Sequence, residues 1–486
     1  MLKVKTKTRK FRRIADDLRS DVKAPLVEAL EKFYKNPMMQ FHIPGHTAGR
    51  ASYRPFKKLI GSRALLLDTT DEFDNLGTLH PATGPIKEAQ ELAAQAFGAK
   101  RTFFLLGGST IGNLTLAMCM SKKGKKVIVN RNCHRSILTG MIISGAEPVW
   151  ILPEKLNEWS LWGEIEPAEI EKALKENDDV AMVWLTNPTY EGVVSNIKAI
   201  SDICKKYDVP LIVDEAHGCL WNFNKNLPES SLHLGADAVV HSLHKTGGSM
   251  SQSSMLHIPE GSKFDPDEIE RTLQLLQTTS PSMLLMASLD AARANLESKH
   301  GRKQLNRAIQ YAKFVRKRLH KIEGVHVLEA GENFNQDITK IFIKVDGLSG
   351  KRLESILEID FDIEVESASD IGVLLLINIG NTKQEIQYLV DAIEKIAHSN
   401  YSDIYYIEKR KHMPMLTPKI VMNPREAYYS DKETIEKEKA VGRISAEVIA
   451  ECPPGISILL PGELITQEHM PYLNSYKYLE VIKKYV

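Results

Sequence analysis

The alternation of short apolar runs with helix-length segments between residues 102 and 214 most constrains the fold of this chain. Predicted strands cover residues 103–106, 126–130, 147–152, 180–185 and 211–214, and predicted helices fill the intervals between them. Strands that alternate with helices are typical of βαβ units, whose strands run parallel. We therefore predict an α/β fold built on a mainly parallel, doubly wound sheet.

A turn rich in glycine and hydroxyl groups follows the first predicted strand. It reads Gly107-Gly108-Ser109-Thr110 and leads into the apolar run 114–120, which predicts the start of a helix. Backbone N–H groups and hydroxyls at a helix N-terminus hold phosphate against the positive end of the helix dipole. The turn lacks GxGxxG spacing, which argues against a dinucleotide-binding protein.

Two further polar side chains follow predicted strand ends. Asp214 ends the strand 211–214, at the sheet edge where open α/β folds bind ligands. Lys245 follows the apolar residues 238–240 in a turn with histidines, hydroxyls and glycines. Taken alone, such a lysine is more often a solvated loop residue.

The order of phosphate turn, acid and lysine favours a pyridoxal-phosphate enzyme. In such enzymes a lysine with a lowered pKa forms a Schiff base with the cofactor's aldehyde. A carboxylate paired with the ring nitrogen keeps the ring an electron sink. Ser109, Asp214 and Lys245 are the residues expected to meet.

These motifs resemble those of the fold-type I pyridoxal-phosphate decarboxylases of ornithine, lysine and arginine, and are most similar to biosynthetic arginine decarboxylases without an N-terminal wing domain. The similarity begins near residue 25 and continues to the end. The matching segments are Gly108-Ser109-Thr110, Asp214-Glu215-Ala216-His217, Ser242–Lys245 with Ser251-Gln252, and Pro453-Pro454-Gly455 with Pro461-Gly462-Glu463. The resemblance implies a large domain of the pyridoxal-phosphate-dependent transferase type with smaller α+β domains after it.

The resemblance also implies roles for individual residues. Lys245 would hold pyridoxal 5′-phosphate, and Asp214 would pair with its ring nitrogen. His134, just past a predicted strand end, would stack on the ring, while His217 would bond near O3′ or the Schiff base, where some relatives carry an aromatic residue. The phosphate would be held by Ser109, Thr110, Ser242 and His244.

By the same resemblance, Glu463 would bind the cationic group at the far end of the substrate's side chain. The acidic segment 68–84, particularly Asp71 and Asp74, is the alternative source of an anion. Tyr190, in the segment that closes the strand 180–185, is expected to help shape the site.

The implied activity is pyridoxal-phosphate-dependent decarboxylation of a basic amino acid. Arginine, giving agmatine and CO₂ for polyamine (spermidine) synthesis, is the first expectation, lysine the second and ornithine the third. An aminotransferase would normally carry a carboxylate-binding arginine late in the chain, and residues 374–381 contain none. A catalytically silent regulatory homologue is the alternative from another class, but it would not need both Asp214 and Lys245.

The predicted organisation has four parts. Residues 1–60 form an N-terminal arm and a segment leading towards the site, 61–298 the cofactor-binding domain, 299–398 a small α+β domain, and 399–486 the C-terminal decarboxylase domain. In fold-type I enzymes a hydroxyl near residue 280 often reaches the neighbouring subunit's cofactor phosphate. Thr278 or Thr279 would do so here, which predicts a homo-oligomer, at least a dimer, with shared active sites.

Composition bounds the partners and the compartment. A net charge of +1 gives no global field towards nucleic acid or an acidic membrane. No apolar run is long enough to span a bilayer, and the basic start of the chain is followed by acids instead of a signal-peptide core. Five scattered cysteines without a CxxC pair argue against a metal site or disulfides and favour the cytoplasm.

Overall fold

A computed structural model of the chain describes residues 21–36, 38–73, 75–120, 125–329, 335–401, 416, 418–451 and 456–484. The basic arm over residues 1–20 lies outside the described residues, as do Asp74 and the segment 452–455. The described residues form a large unit, Pro25 to Glu297, a small unit, Lys299 to Ala397, and a C-terminal unit over residues 416–482.

The large unit alternates strands and helices. Its strands are β1 (Arg101–Leu105), β2 (Lys126–Asn130), β3 (Glu147–Ile151), β4 (Lys155–Leu156), β5 (Leu161–Trp162), β6 (Val180–Thr186), β7 (Val193–Val194), β8 (Leu211–Asp214), β9 (Ala238–His241) and β10 (Ser254–Ile258). Its helices are α1 (Pro25–Lys35), α2 (Arg54–Ile60), α3 (Ser62–Leu67), α4 (Gly84–Phe97), α5 (Gly108–Met120), α6 (Arg135–Ser144), α7 (Pro167–Glu176), α8 (Ile197–Lys206), α9 (Leu243–Thr246), α10 (Pro266–Leu276) and α11 (Met283–Glu297), with a 3₁₀ turn at Trp221–Phe223.

The main sheet of the described residues has seven strands in the order β1-β10-β9-β8-β6-β2-β3. β9, β8, β6, β2 and β3 are mutually parallel, and only β10 runs against its two neighbours. The carboxyl ends of all the other strands therefore meet at one edge. The prediction of an α/β fold with a parallel-dominated sheet is confirmed.

Side chains of the central strands alternate between two hydrophobic layers. Ile128 belongs to the hydrophobic layer that includes residues of α4 and α8, whereas its neighbours Val127 and Val129 belong to the layer that includes residues of α5 and α6. Successive side chains of a strand point to opposite faces of the sheet, and here both faces are buried. These strands are therefore continuous apolar runs in the sequence. Helices cover both faces, as the doubly wound prediction requires.

The small unit is α+β. It contains α12 (Lys299–Leu319), β11 (Val325–Val327), β12 (Asn335–Gln336), β13 (Lys340–Val345), α13 (Gly350–Phe361), β14 (Ser367–Ala368), β15 (Val373–Leu376) and α14 (Lys383–Ala397). Its antiparallel sheet has the order β11-β13-β15-β14. β12 pairs with β7 of the large unit, which brings the start of β13 towards the edge that carries Asp214.

The C-terminal unit packs on the α6 side of the large unit. It contains α15 (Pro424–Tyr429), β16 (Lys432–Glu436), β17 (Ile449–Glu451), β18 (Ile456–Leu459) and β19 (Tyr478–Ile482), with 3₁₀ turns at Lys437–Lys439 and Gln467–Tyr472. Leu460 enters the hydrophobic layer beneath α5 and α6. Among the helices of the described residues, none combines the length and the apolar character that a bilayer crossing requires.

Candidate active site

A cavity of about 390 Å³ lies at the carboxyl edge of the main sheet. Turns after β1, β2, β6, β8 and β9 line it, together with the small unit through Glu366 and the C-terminal unit through Ile456. All the predicted site residues of the large unit face this cavity: Ser109, Thr110, His134, Asp214, His217, Ser242, His244 and Lys245.

One end of the cavity is a cradle for an anion. Helix α5 begins there at Gly108, whose φ of +71° is costly for other residues and whose missing Cβ would meet nothing within 4 Å. The hydroxyls of Ser109 and Ser242 lie 2.6 Å apart. Nδ1 of His244 donates to the carbonyl of Ser253 at 2.8 Å, and burial lowers the pKa of this histidine. The start of a helix, the paired hydroxyls and the open space beside Gly108 fit a phosphate.

Asp214 lies on the cavity wall and is almost completely buried. Its Oδ2 accepts a hydrogen bond from Nδ2 of Asn113 at 2.9 Å, and its Oδ1 accepts one from the backbone N–H of Ala216 at 3.2 Å. These donors hold the carboxylate in one orientation. Asn113 lies one helical turn after Ser109 and so shares that face of α5, a spacing from which the sequence alone predicted no role.

His134 is the N-cap residue of α6. Its Nδ1 accepts from the backbone N–H of Ser136 at 3.2 Å and lies 2.8 Å from that residue's hydroxyl. Asn113 also donates to the Ser136 hydroxyl, at 2.9 Å, so one network orients both His134 and Asp214. Burial lowers the pKa of His134. An isolated β-bridge joins His134 to Ile456 of the C-terminal unit.

Lys245 sits in the short helix α9, and burial lowers the pKa of its amine. Its Nζ lies 2.9 Å from Nε2 of His217. The other ring nitrogen of His217, Nδ1, lies 3.0 Å from Nζ of Lys340. Burial, together with the charges of both lysines, holds the pKa of His217 well below its ordinary value. The histidine is therefore neutral between two amines.

Lys340 is the residue of this group that sequence reasoning missed. It begins β13 and is 1% exposed. A lysine at the start of a strand is ordinarily solvated, so its position gives no signal until the pairing of β12 with β7 is known.

The mouth of the cavity carries further polar groups. The hydroxyl of Tyr190 donates to Oε1 of Glu366, and the Tyr190 ring lies edge-on to the His217 ring with centroids 5.1 Å apart. Glu366 is exposed at the rim, whereas Glu191 is buried, and burial raises the pKa of its carboxyl. Neither glutamate was identified from the sequence, because each stands alone among unrelated residues.

Glu463 does not line this cavity. It is completely buried, and its two oxygens accept from Nη1 and Nη2 of Arg131 at 2.8 and 3.0 Å, with a further bond from the N–H of Leu460 at 3.0 Å. The predicted role of Glu463 as the anion for a substrate cation is therefore wrong: its partner is a cation of this chain. The alternative, Asp71, is also buried and accepts from the N–H of Leu79 at 3.0 Å.

The donor set fits pyridoxal phosphate. The cavity presents an amine, a fixed carboxylate and an anion cradle around one space, and these match the aldehyde, the ring nitrogen and the phosphate of that cofactor. Thr278 and Thr279 are exposed and do not line the cavity of their own chain.

Comparisons with known proteins agree with this geometry. The family profile described as "Orn/Lys/Arg decarboxylase, major domain" matches residues 24–342, and "Orn/Lys/Arg decarboxylase, C-terminal domain" matches residues 407–485. The chain is 38% identical over 462 residues to an arginine decarboxylase of Bacillus subtilis, covering 93% of this chain and 94% of that protein.

Lysine decarboxylases are more distant. The constitutive lysine decarboxylase of Escherichia coli is 25% identical over 565 residues, covering 96% of this chain and 78% of that protein. The structure of lysine decarboxylase A from Pseudomonas aeruginosa superposes with a TM-score of 0.83 at 23% identity, covering 94% of this chain and 80% of that one. At that identity the superposition shows a shared fold.

Proposed function

The chain belongs to the Orn/Lys/Arg decarboxylase family, and from that premise we propose that it decarboxylates L-arginine to agmatine and CO₂ with pyridoxal phosphate as cofactor. The main support for this reaction is that Lys245, Asp214 and the anion cradle at the start of α5 all line one cavity. The preference for arginine is supported by 38% identity to an arginine decarboxylase against 25% to a lysine decarboxylase.

Each residue of the large unit has a defined task in this proposal. The bound cofactor supplies an electron sink for the bond that loses CO₂. Lys245 would hold it covalently, because the burial that lowers the pKa of this lysine favours the unprotonated amine, the form that reacts with an aldehyde. Asp214, fixed by Asn113 and Ala216, would keep the ring nitrogen protonated.

The remaining residues position the cofactor. The His134 ring, oriented through Ser136, would lie against one face of the cofactor ring, and the small side chain of Ala216 would leave room at the other. Ser109, Thr110, Ser242 and His244, which line the same cavity, would hold the phosphate. Lys245, beside His217, or alternatively His244 would deliver the proton that replaces the lost carboxyl group.

Substrate orientation follows from the shape of the cavity. The reacting α-amine has to reach Lys245 in the interior, so the distal guanidinium points towards the mouth, where Glu366 lies. A carboxylate binds a guanidinium with two parallel hydrogen bonds, an arrangement that a lysine ammonium cannot reproduce. We therefore assign to Glu366 the role that the sequence suggested for Glu463.

A second copy of the chain covers an exposed apolar surface in this proposal. The surface, called here the N-terminal apolar surface, is formed by residues 38–60, and helix α2 within it has no buried residue. Met39, Phe41 and Leu59 are 87%, 96% and 82% exposed, and apolar side chains grouped in this way are typical of a protein–protein interface. In a dimer that buries this surface, the exposed Thr278 or Thr279 is available to the partner's phosphate site.

The setting we propose is cytoplasmic polyamine synthesis with no nucleic-acid or membrane partner. Cys119, Cys133, Cys204 and Cys219 are unpaired in the structure, as is normal in a reducing compartment.

The test is direct. Purified protein with pyridoxal phosphate is incubated separately with arginine, lysine and ornithine, and the amine and CO₂ released are quantified. We expect agmatine to form with the highest kcat/KM. Predominant cadaverine or putrescine would overturn the substrate assignment, and no amine from any of the three would support a catalytically silent homologue.

A further inference from the structure

Lys340 is a buried cation to which the proposed reaction gives no task. It comes from the small unit, yet its Nζ reaches the large unit and donates to the backbone carbonyl of Tyr190 at 2.7 Å and to Nδ1 of His217 at 3.0 Å. Burying a charged lysine completely is costly unless the ammonium is paired and hydrogen-bonded, so fully buried lysines are uncommon. The ammonium group of Lys340 is separated from the amine of Lys245 by a single imidazole ring, that of His217.

With Lys340 in its ammonium form, the hydrogen-bond chemistry of the three side chains has one consistent arrangement. An ammonium group has donors and no acceptor, so Nδ1 of His217 must accept from Lys340. His217 is neutral, and its ring proton is therefore on Nε2. Nε2–H then donates to Nζ of Lys245, 2.9 Å away, and only an unprotonated amine has the lone pair to accept it.

We propose that Lys340 is a positioning residue of the active site, which fixes the tautomer of His217 so that the histidine stabilises the unprotonated, nucleophilic form of Lys245. The inference rests on the proposed role of Lys245 as the cofactor lysine. It places a requirement for activity in the small unit, on a residue that does not line the cavity.

The surroundings of Lys340 allow it to act as a cation near neutral pH. Six polar or titratable groups face it, and they come from five different elements. The loop after β6 contributes Tyr190 and Glu191, and the loop after β8 contributes His217. Helix α9 contributes Lys245, the turn before β13 Asp337, and the segment before β14 Glu366. Burial lowers the pKa of Lys340 to about 8, and Asp337 opposes that shift. Below this pH the ammonium form enforces the tautomer; above it, the neutral amine can also accept, and the constraint is relaxed.

The experiment measures the reactivity of Lys245 in the protein freed of cofactor. The initial rate of adduct formation with pyridoxal phosphate is followed by absorbance across the neutral to alkaline range. Borohydride reduction and peptide mass spectrometry then locate the adduct. The variants are Lys340→Met, which keeps length without charge, His217→Phe, the double variant, and Lys344→Met as a matched control on the same strand β13.

The expected result is a rise in the pH midpoint of the reaction by about one unit in Lys340→Met, so that the adduct forms about tenfold more slowly below the midpoint. His217→Phe alone should shift the midpoint in the same direction, which tests the inference without altering Lys340. In the His217→Phe background, Lys340→Met should give no further shift, and Lys344→Met should behave as wild type.

Three outcomes would overturn the inference, and they are distinguishable. An unshifted midpoint in Lys340→Met, with the adduct still on Lys245, removes the role of Lys340 and leaves the proposed function intact. If Lys340→Met shifts the pH midpoint equally in the wild-type and His217→Phe backgrounds, the charge of Lys340 acts on Lys245 directly through space and not through the histidine. An adduct on a different lysine overturns the proposed function and this inference together.

Discussion

Arg131 and Glu463, separated by most of the chain, meet in a buried ion pair with two parallel hydrogen bonds of 2.8 and 3.0 Å. Arg131 follows β2 of the main sheet, and Glu463 follows the β18 segment of the C-terminal unit. Arg131 also donates to the carbonyl of Ile458 at 3.0 Å, so the pair joins the two units at a point beside the cavity without facing it.

Glu463→Gln should destabilise the fold and leave substrate binding nearly unchanged. The substitution leaves the Arg131 guanidinium buried without a counter-charge, which costs about 3 kcal/mol. Equilibrium urea unfolding measures the loss, and KM for arginine measures binding. Glu468→Gln, at an exposed position nearby, is the control and should have no effect on either. A large rise in KM with normal stability would restore the substrate role of Glu463.

Lys245→Ala should abolish covalent attachment of pyridoxal phosphate. Among the described residues, Lys245 carries the only side-chain amine that lines the cavity. The nearby amine of Lys340 lies behind the His217 ring. Wild-type protein should show a visible absorption band that borohydride bleaches, with the label on the peptide containing Lys245. The variant should show neither, and a label of equal yield in the variant would contradict the assignment.

Asp214→Asn should reduce turnover far more than it weakens cofactor binding. The amide keeps the size of the side chain but removes the charge beside the ring nitrogen, worth about 3–5 kcal/mol, or about two to four decades in rate. Single-turnover kinetics and cofactor titration separate the two effects. A variant with near-normal turnover would show that the ring nitrogen has another partner.

Glu366→Gln should lower kcat/KM for arginine by about tenfold, equivalent to about 1.4 kcal/mol, mostly through KM. The effect is modest because Glu366 lies at the exposed rim, where solvent screens the pair. Glu364→Gln, the preceding acid on the same exposed segment, is the matched control. Equal losses in both variants would indicate a general effect of charge instead of a specific contact.

Lys340 should also impose a pH dependence on stability. Its pKa is lowered from 10.5 to about 8 in the folded protein, so between these values the unfolded chain binds more protons. The free energy of unfolding of wild type, relative to Lys340→Met, should therefore rise with pH over this interval, by up to about 1.4 kcal/mol per unit. Urea unfolding of the cofactor-free proteins at pH values near the two ends of the interval measures it. A constant difference would mean that Lys340 titrates normally.

Local sequence patterns predicted the parts of the structure that local physics determines. The apolar runs specify the strands of the main sheet, and the carboxyl ends of parallel strands necessarily share an edge. Asp214, Lys245 and the Ser109 turn therefore meet where the sequence indicated.

Residues whose role depends on distant partners could not be predicted in this way. Glu463 follows a proline–glycine turn and was expected to meet the substrate's cation, because nothing near it in the sequence identifies Arg131 as its partner. Lys340 begins an ordinary strand and becomes a buried cation only because β12 pairs with β7. Asn113 was detectable in part, since its spacing from Ser109 places both on one face of α5.

The bridge between His134 and Ile456 has a consequence for biosynthesis. The anion cradle, Asp214 and Lys245 all precede β18 in the chain, so a ribosome makes them before the segment that carries Ile456. The cavity has all its walls only when the C-terminal unit packs beside α6. A chain that ends before β18 would therefore contain Lys245 and Asp214 but lack the wall that Ile456 contributes.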